Sequence, residues 1–208
     1  MKALIRALCV CAALAVLPAQ AHSNKLMQPA AQQQAPAMEA GKAMLVIMRP
    51  SFYGGAIAAS VYDITGDQTK LIGVLGPKDQ IAYQVEPGQH RFMVVAENAD
   101  FMEATLDAGK TYYAVVRARP GVWKARFSLL PIRASSDDQY NLQSADFKEW
   151  SAKSEWVERT DRADAWYAEH QANIGEKRAD YLEKWDRMAA SDKAELILHA
   201  DDGVAVAP

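Results

Sequence analysis

Cysteine is almost missing from this chain. Of its 208 residues only Cys9 and Cys11 carry a thiol, and both sit in an apolar run near the N-terminus. Everything after them is therefore without disulfides, without a thiolate nucleophile and without cysteine ligands for a metal. Histidine is scarce as well. His22, His90, His170 and His199 are scattered and form no His-x-x-x-His pair, so a zinc site has little support. There is no glycine-rich phosphate loop, no Gly-x-Ser-x-Gly and no His-Glu-x-x-His. No apolar run after the first twenty or so residues is long enough for a transmembrane segment. Basic charge is not in excess either. The formal net charge is −3; residues 43–131 hold 9 basic and 8 acidic side chains, and residues 132–208 hold 10 and 17. That balance argues against nucleic acid as a partner and against direct adhesion to anionic lipid.

What is present begins with a targeting pattern. Lys2 and Arg6 precede the apolar stretch Ala7–Leu17, and Ala19-Gln20-Ala21 is a small-x-small site. Residues 1–21 are expected to be a secretory signal peptide cleaved after Ala21, its apolar core being too short to span a bilayer. The expected location is periplasmic or secreted. Cys9 and Cys11 lie too early for a lipid-attachment cysteine. Residues 22–42, with Gln32-Gln33-Gln34, several alanines, Pro29 and Pro36, have the composition of a flexible linker.

From Ala43 the texture becomes that of strands. Met44–Met48 is continuously apolar, and Phe52 and Tyr53 lie on the loop that follows. Ile57–Ile64, Lys70–Leu75 and Gln80–Val85 read as strands; then His90, Phe92, Val94 and Ala96 alternate with their neighbours. Phe101–Leu106, Thr111–Arg119 and Val122–Leu130 complete the series. Thr65-Gly66-Asp67, Glu86-Pro87-Gly88, Asp107-Ala108-Gly109-Lys110 and Pro120-Gly121 supply turns between them. About eight short strands at spacings of roughly 8–12 residues favour an antiparallel sandwich or a small barrel.

After Pro131 the period changes to that of helices. Ser144 is placed to cap a helix carrying Phe147, Trp150 and Val157 on one stripe. A longer helix follows from Asp161, with Ala163, Trp166, Tyr167, His170, Ile174, Tyr181, Trp185 and Met188 at helical spacing. Residues 201–208 read as a frayed end. The expected fold class is thus mainly β with α. It is an antiparallel β-sandwich, immunoglobulin-like or barrel-like, at residues 43–131, followed by a helical C-terminal extension at 132–208.

One set of residues carries a family likeness. Leu45-Val46-Ile47-Met48-Arg49-Pro50, Gly54-Gly55, Val61-Tyr62-Asp63, Ile72-Gly73-Val74-Leu75, Val85-Glu86-Pro87-Gly88-Gln89-His90 and Ala108-Gly109-Lys110-Thr111-Tyr112-Tyr113 occur in that order. This resembles domain-of-unknown-function family 2846, over about residues 43–131. The resemblance implies a small β-sandwich in a bacterial exported protein. Many members look lipid-anchored, and the anchoring cysteine is missing here. The family brings no activity, substrate or catalytic residue.

Candidate binding residues are aromatic. Trp123, Trp150, Trp156, Trp166 and Trp185 concentrate late in the chain, and Tyr112-Tyr113 put one ring on each face of a strand. Core packing accounts for most of them. Trp150, Trp156, Trp166 and Tyr113 remain as side chains that could meet a ligand. A metal site would have to use His22, as the new N-terminus, together with His90. Asp137-Asp138 and Asp201-Asp202 lie on polar loops and read as solvated pairs. With no catalytic constellation, an enzyme is not expected, nor is a cofactor. The expected function is a non-enzymatic binding or adaptor module of the bacterial envelope, meeting an envelope protein or a second copy of itself through the helical tail. The alternatives are a periplasmic copper-binding protein using His22 and a glycan- or peptidoglycan-binding module.

Overall fold

A computed structural model describes residues 26–54, 57–119 and 126–205. The expected signal peptide, His22 and Trp123 lie outside the described residues. The chain runs through β1 (Met27–Pro29), β2 (Ala43–Arg49), β3 (Ala59–Asp63), β4 (Lys70–Leu75), β5 (Asp79–Val85), β6 (Gly88–Val95), β7 (Ala99–Leu106), β8 (Lys110–Arg119) and β9 (Arg126–Ile132). Then come α1 (Ala145–Lys153), β10 (Glu155–Arg159), α2 (Asp161–Asp186), α3 (Ala190–Ala194), β11 (Ile197–Leu198) and β12 (Val204–Ala205). Two sheets result. One has seven strands in the order β1-β10-β5-β2-β8-β12, with β9 also paired to β8; the other has five, in the order β11-β7-β6-β3-β4.

The sheets are mixed, which corrects the expectation of a purely antiparallel sandwich. β2 runs parallel to β8, β10 to β5, and β11 to β7. The physical reason is connectivity. The chain leaves β2 for β3 and β4 of the second sheet, returns at β5 antiparallel to β2, and crosses again to β6 and β7. It re-enters the first sheet at β8 in the same direction as β2, a parallel pairing that only a long connection permits. The tail strands β10 and β11 then join existing edges in whatever direction α1 and α2 deliver them.

Apolar alternation sorts the strands into layers. Leu45 and Ile47 of β2, Tyr112, Ala114 and Val116 of β8, and Phe127 and Leu129 of β9 belong to the core shared with the five-stranded sheet. Their neighbours Met44, Val46, Met48, Val115 and Ile132 form a second cluster on the opposite face, covered by Phe147, Trp150 and Trp156. The other sheet is likewise covered on two sides. Tyr62, Met93 and Phe101 are cross-strand neighbours, and Tyr62 and Phe101 meet Tyr167, Tyr181 and Trp185 of α2. Burial on both faces explains why Met44–Met48 and Phe92–Val95 are continuous apolar runs rather than alternating ones.

The tail is woven into the sandwich rather than hung from it. Ser144 does cap α1, its hydroxyl accepting the Phe147 N–H at 3.0 Å. The helix stops at Lys153, so Val157, expected on its stripe, and Trp156, expected beside that stripe, belong instead to β10. In α2, Ala163, Ile174, Tyr181 and Trp185 are buried as expected. His170 is not on that stripe: it is exposed and stacked on the Trp166 ring at 4.6 Å. The end expected to fray is tied down. Val204 and Ala205 pair with Thr111 and Lys110, and buried Asp202 accepts the N–H groups of Ala134 and His199 at 2.9 and 2.8 Å. Only residues 206–208 lie beyond the described chain end.

Nor are residues 26–42 a plain linker. β1 pairs with β10, and the Met27 side chain is buried in the main core. It enters beside Gly73, where a Cβ atom would stand 3.1 Å from Met27 Cε and 2.9 Å from Ile81 Cδ1. A glycine in the strand makes this close approach possible.

Buried phenols make the fold sensitive to alkali. Burial raises the pKa of Tyr181, Tyr62 and Tyr83; Asp100 adds to the effect at Tyr181 and Asp63 at Tyr83. Tyr181 and Tyr83 donate their hydroxyls to those carboxylates. A phenol whose folded pKa lies above its unfolded value of about 10 contributes stability that is complete below that pH and is lost as pH rises above it. Denaturant midpoints are therefore expected to hold to about pH 9.5 and fall above about pH 10, and Tyr181→Phe is expected to blunt that fall. A flat profile through this range would refute the assignment.

Candidate functional site

Three of the four aromatic candidates come together, and one does not. Tyr113, Trp150 and Trp156 share the outer face of the seven-stranded sheet. Tyr113 is half-buried under Phe147, ring centroids 5.0 Å apart, and burial raises its phenol pKa. Trp150 lies beside Tyr140, with the Arg117 guanidinium over both rings at 5.6 and 5.8 Å. Both are engaged in packing. Trp166 is on α2, over the other sheet, and contacts the main core.

Trp156 is different, because it borders a cleft. The cleft has a volume of about 570 Å³ and lies between residues 30–36 and strands β4, β5 and β10. Ile72, Ile81 and Tyr83 provide apolar surface; Gln32, Gln34 and Glu158 stand among its polar lining. The glutamine run that reads as low-complexity sequence is the lip of this cleft. Gln33 folds it over. Its Nε2 donates to the Trp156 carbonyl at 3.0 Å, and its Oε1 accepts the Trp156 N–H at 2.9 Å. One side-chain amide thus imitates a paired strand residue. The Ala30 N–H adds a bond to the same carbonyl at 2.8 Å.

The cleft opens beside β4, the edge strand of the five-stranded sheet. Side chains meet that edge. Arg159 donates to the Leu71 carbonyl at 2.8 Å, Arg49 to the Leu75 carbonyl at 2.7 Å, and Tyr167 to the Thr69 carbonyl. The Val74 N–H points at Met27 Sδ at 3.3 Å. An edge capped in this way is a poor template for an added strand. What the cleft offers is an indole, an apolar floor and a rim of amides.

His90 is not a free metal ligand. Its Nε2 lies 2.8 Å from the Glu86 carbonyl and its Nδ1 3.1 Å from the Thr65 hydroxyl, which donates to Asp63. Both ring nitrogens are occupied within a turn-to-turn clasp. Among the described residues, no three His, Cys, Asp or Glu side chains group so as to hold a metal ion. Two further crevices of similar size occur. One mixes Arg119, Arg133, Lys184, Asp138 and Tyr181; the other surrounds His90 with Arg91, Glu103 and Arg178. In the second the charged groups are already joined, Arg91 to Glu103 and Arg178 to Gly66 and Thr69.

No family model matches this chain, and no curated protein matches it. Among the described residues, no helix is long and apolar enough to cross a membrane.

Proposed function

We propose that this chain is an exported, non-enzymatic binding module of the bacterial envelope, that its sandwich is of the type found in domain-of-unknown-function family 2846, and that the Trp156 cleft is its ligand site. The observation that carries the reading is the combination in one cleft of an indole, an apolar floor and the amides of Gln32 and Gln34. A saccharide suits that combination best. A pyranose ring has an apolar face for the indole and hydroxyls for amide and carboxylate partners. Peptidoglycan glycan strands have this chemistry and belong to the same compartment. The packed stripe of α2 speaks for a structural role of the tail, so docking through the tail is the weaker form of the reading.

Soluble peptidoglycan fragments are the probe. Titration followed by tryptophan fluorescence is expected to show saturable binding, and Trp156→Ala is expected to weaken it by about tenfold or more. Gln32→Ala with Gln34→Ala should also weaken it while leaving the thermal midpoint unchanged, since both side chains are exposed. Equal binding by the parent and all these variants would remove the cleft from consideration. Absence of binding by the parent would remove the saccharide.

A further inference from the structure

The crevice where the tail meets the sandwich has a volume of about 570 Å³. It lies between the end of β8, residues 130–133, the loop at 138–140, and the facing parts of α2 and α3. It shares no lining residue with the Trp156 cleft. In its wall stands a carboxylate that the fold leaves half used. Asp100, on β7, is 7% exposed and borders the crevice. Its Oδ1 accepts the Phe101 N–H at 2.9 Å and the Tyr181 hydroxyl. Among the described residues no donor meets its Oδ2, and no cation forms an ion pair with it. A carboxylate this deep in a fold is unfavourable until donors complete it. With Oδ1 tied by two donors, Oδ2 is the oxygen left for a ligand.

Two cations border the same space without carboxylate partners of their own among the described residues. Lys184 places its ammonium 4.9 Å from the centre of the Tyr181 ring. Arg119 is close enough to the Tyr181 phenol to favour its ionised form, against burial and Asp100, which raise its pKa. The third cation, Arg133, is already engaged: it pairs with Asp138 at 3.4 Å and donates to the Ala194 carbonyl at 2.7 Å. The lining as a whole holds 3 cations and 4 carboxylates. A simple anion would be repelled by Asp100 and by the exposed Asp192 and Glu195; a simple cation would be repelled by Arg119 and Lys184. A molecule with one charge of each sign meets neither obstacle. Leu130, Pro131 and Met188 add apolar surface. The volume falls within the range of about 300–1,000 Å³ usual for small-molecule sites.

We propose that this crevice binds the zwitterion of an amino acid or short peptide, with its ammonium on Asp100 Oδ2 and its carboxylate on Arg119 and Lys184. Tyr181 acts as a positioning residue, since its hydroxyl fixes which carboxylate oxygen faces the ligand. The proposal does not depend on the Trp156 cleft or on a saccharide.

The test uses the chain from His22 onward, which contains every described residue, and isothermal titration with L-alanine, L-alanyl-L-alanine, and the N-acetylated and C-amidated forms of the dipeptide. Saturable binding of at least one zwitterion is expected, and blocking either end is expected to weaken it by about tenfold or more. Asp100→Asn keeps an acceptor for the Tyr181 hydroxyl but removes the charge. It should weaken the zwitterion by about tenfold or more and change little for the N-acetylated form, which has no ammonium to lose. Arg119→Gln should do the same with respect to the amidated form. Arg119 is exposed, so this variant tests the carboxylate end even where Asp100→Asn unfolds the protein. Tighter binding of alanine would assign the site to free amino acids, and tighter binding of the dipeptide to peptide ends. The proposal is overturned if neither zwitterion binds, if the blocked forms bind as tightly as the free dipeptide, or if Arg119→Gln binds like the parent.

Discussion

Trp185→Ala is expected to lower the unfolding free energy by about 3–5 kcal/mol and to do so for the whole sandwich at once. Trp185 is 2% exposed near the end of α2, with its ring 5.9 Å from that of Phe101 on β7. Arg91 of β6 and Lys193 of α3 place their cations over the indole, each at 5.6 Å. Removing the ring would leave a void bounded by three elements, and collapse into it would drag the α2 face off the sheet. A helix of this kind is held mainly by its buried face. Urea unfolding read by far-ultraviolet dichroism should show a single transition at a lower midpoint with an unchanged slope. Leu182→Ala, a change at a side chain 37% exposed on the same helix, should shift stability by about 0.5 kcal/mol or less. Two separate transitions, with the sandwich unmoved, would mean that the tail folds as its own unit.

That prediction depends on features the sequence shows and on others it hides. The strands β2 to β9 are legible because short apolar runs, continuous or alternating, and the Pro-Gly or Ala-Gly turns that bound them are local signals; Gly109, for instance, takes the φ of +74° that its turn requires. The strands β10 to β12 are not legible. They have 5, 2 and 2 residues, too few to establish a period, and the edges of β5, β7 and β8 give them their conformation. Phe147, Trp150 and Val157 fit a helical stripe by spacing, yet Ser154 turns extended and carries Val157 into a strand. The candidate site divides in the same manner. Trp156 stands out as an aromatic side chain without an assigned place in the core. Gln33 does not, because its partner lies 123 residues away and its neighbours are also glutamines.

Arg49→Ala is the second large effect, again about 3–5 kcal/mol. Arg49 ends the most apolar strand of the fold and is 1% exposed. Burial pushes its guanidinium pKa down to about 10, with Asp79 opposing, so the group keeps its charge at neutral pH. One planar cation joins three elements. Its Nη1 donates to the Leu75 carbonyl of β4 at 2.7 Å, its Nη2 to the Gly54 carbonyl at 2.9 Å, and its plane lies 4.6 Å from the Phe127 ring of β9. Truncation would remove two donors from carbonyls and open a cavity beside Phe127. Arg49→Met would refill most of the cavity but remove the guanidinium N–H groups from both carbonyls, leaving that of Gly54 with the Ile57 N–H alone, so it should recover only part of the loss. Arg49→Lys keeps the charge, but a point ammonium cannot serve both carbonyls and stack on the ring as a planar fork does. If charge alone mattered, Arg49→Lys would match the parent; if packing alone mattered, Arg49→Met would. The bridging geometry predicts that neither does, and that both variants speed amide exchange at Ile57, whose N–H shares the Gly54 carbonyl. Full stability in either variant would show that the loop carrying Phe52 and Tyr53 is held by its own turn and not by the core beneath it.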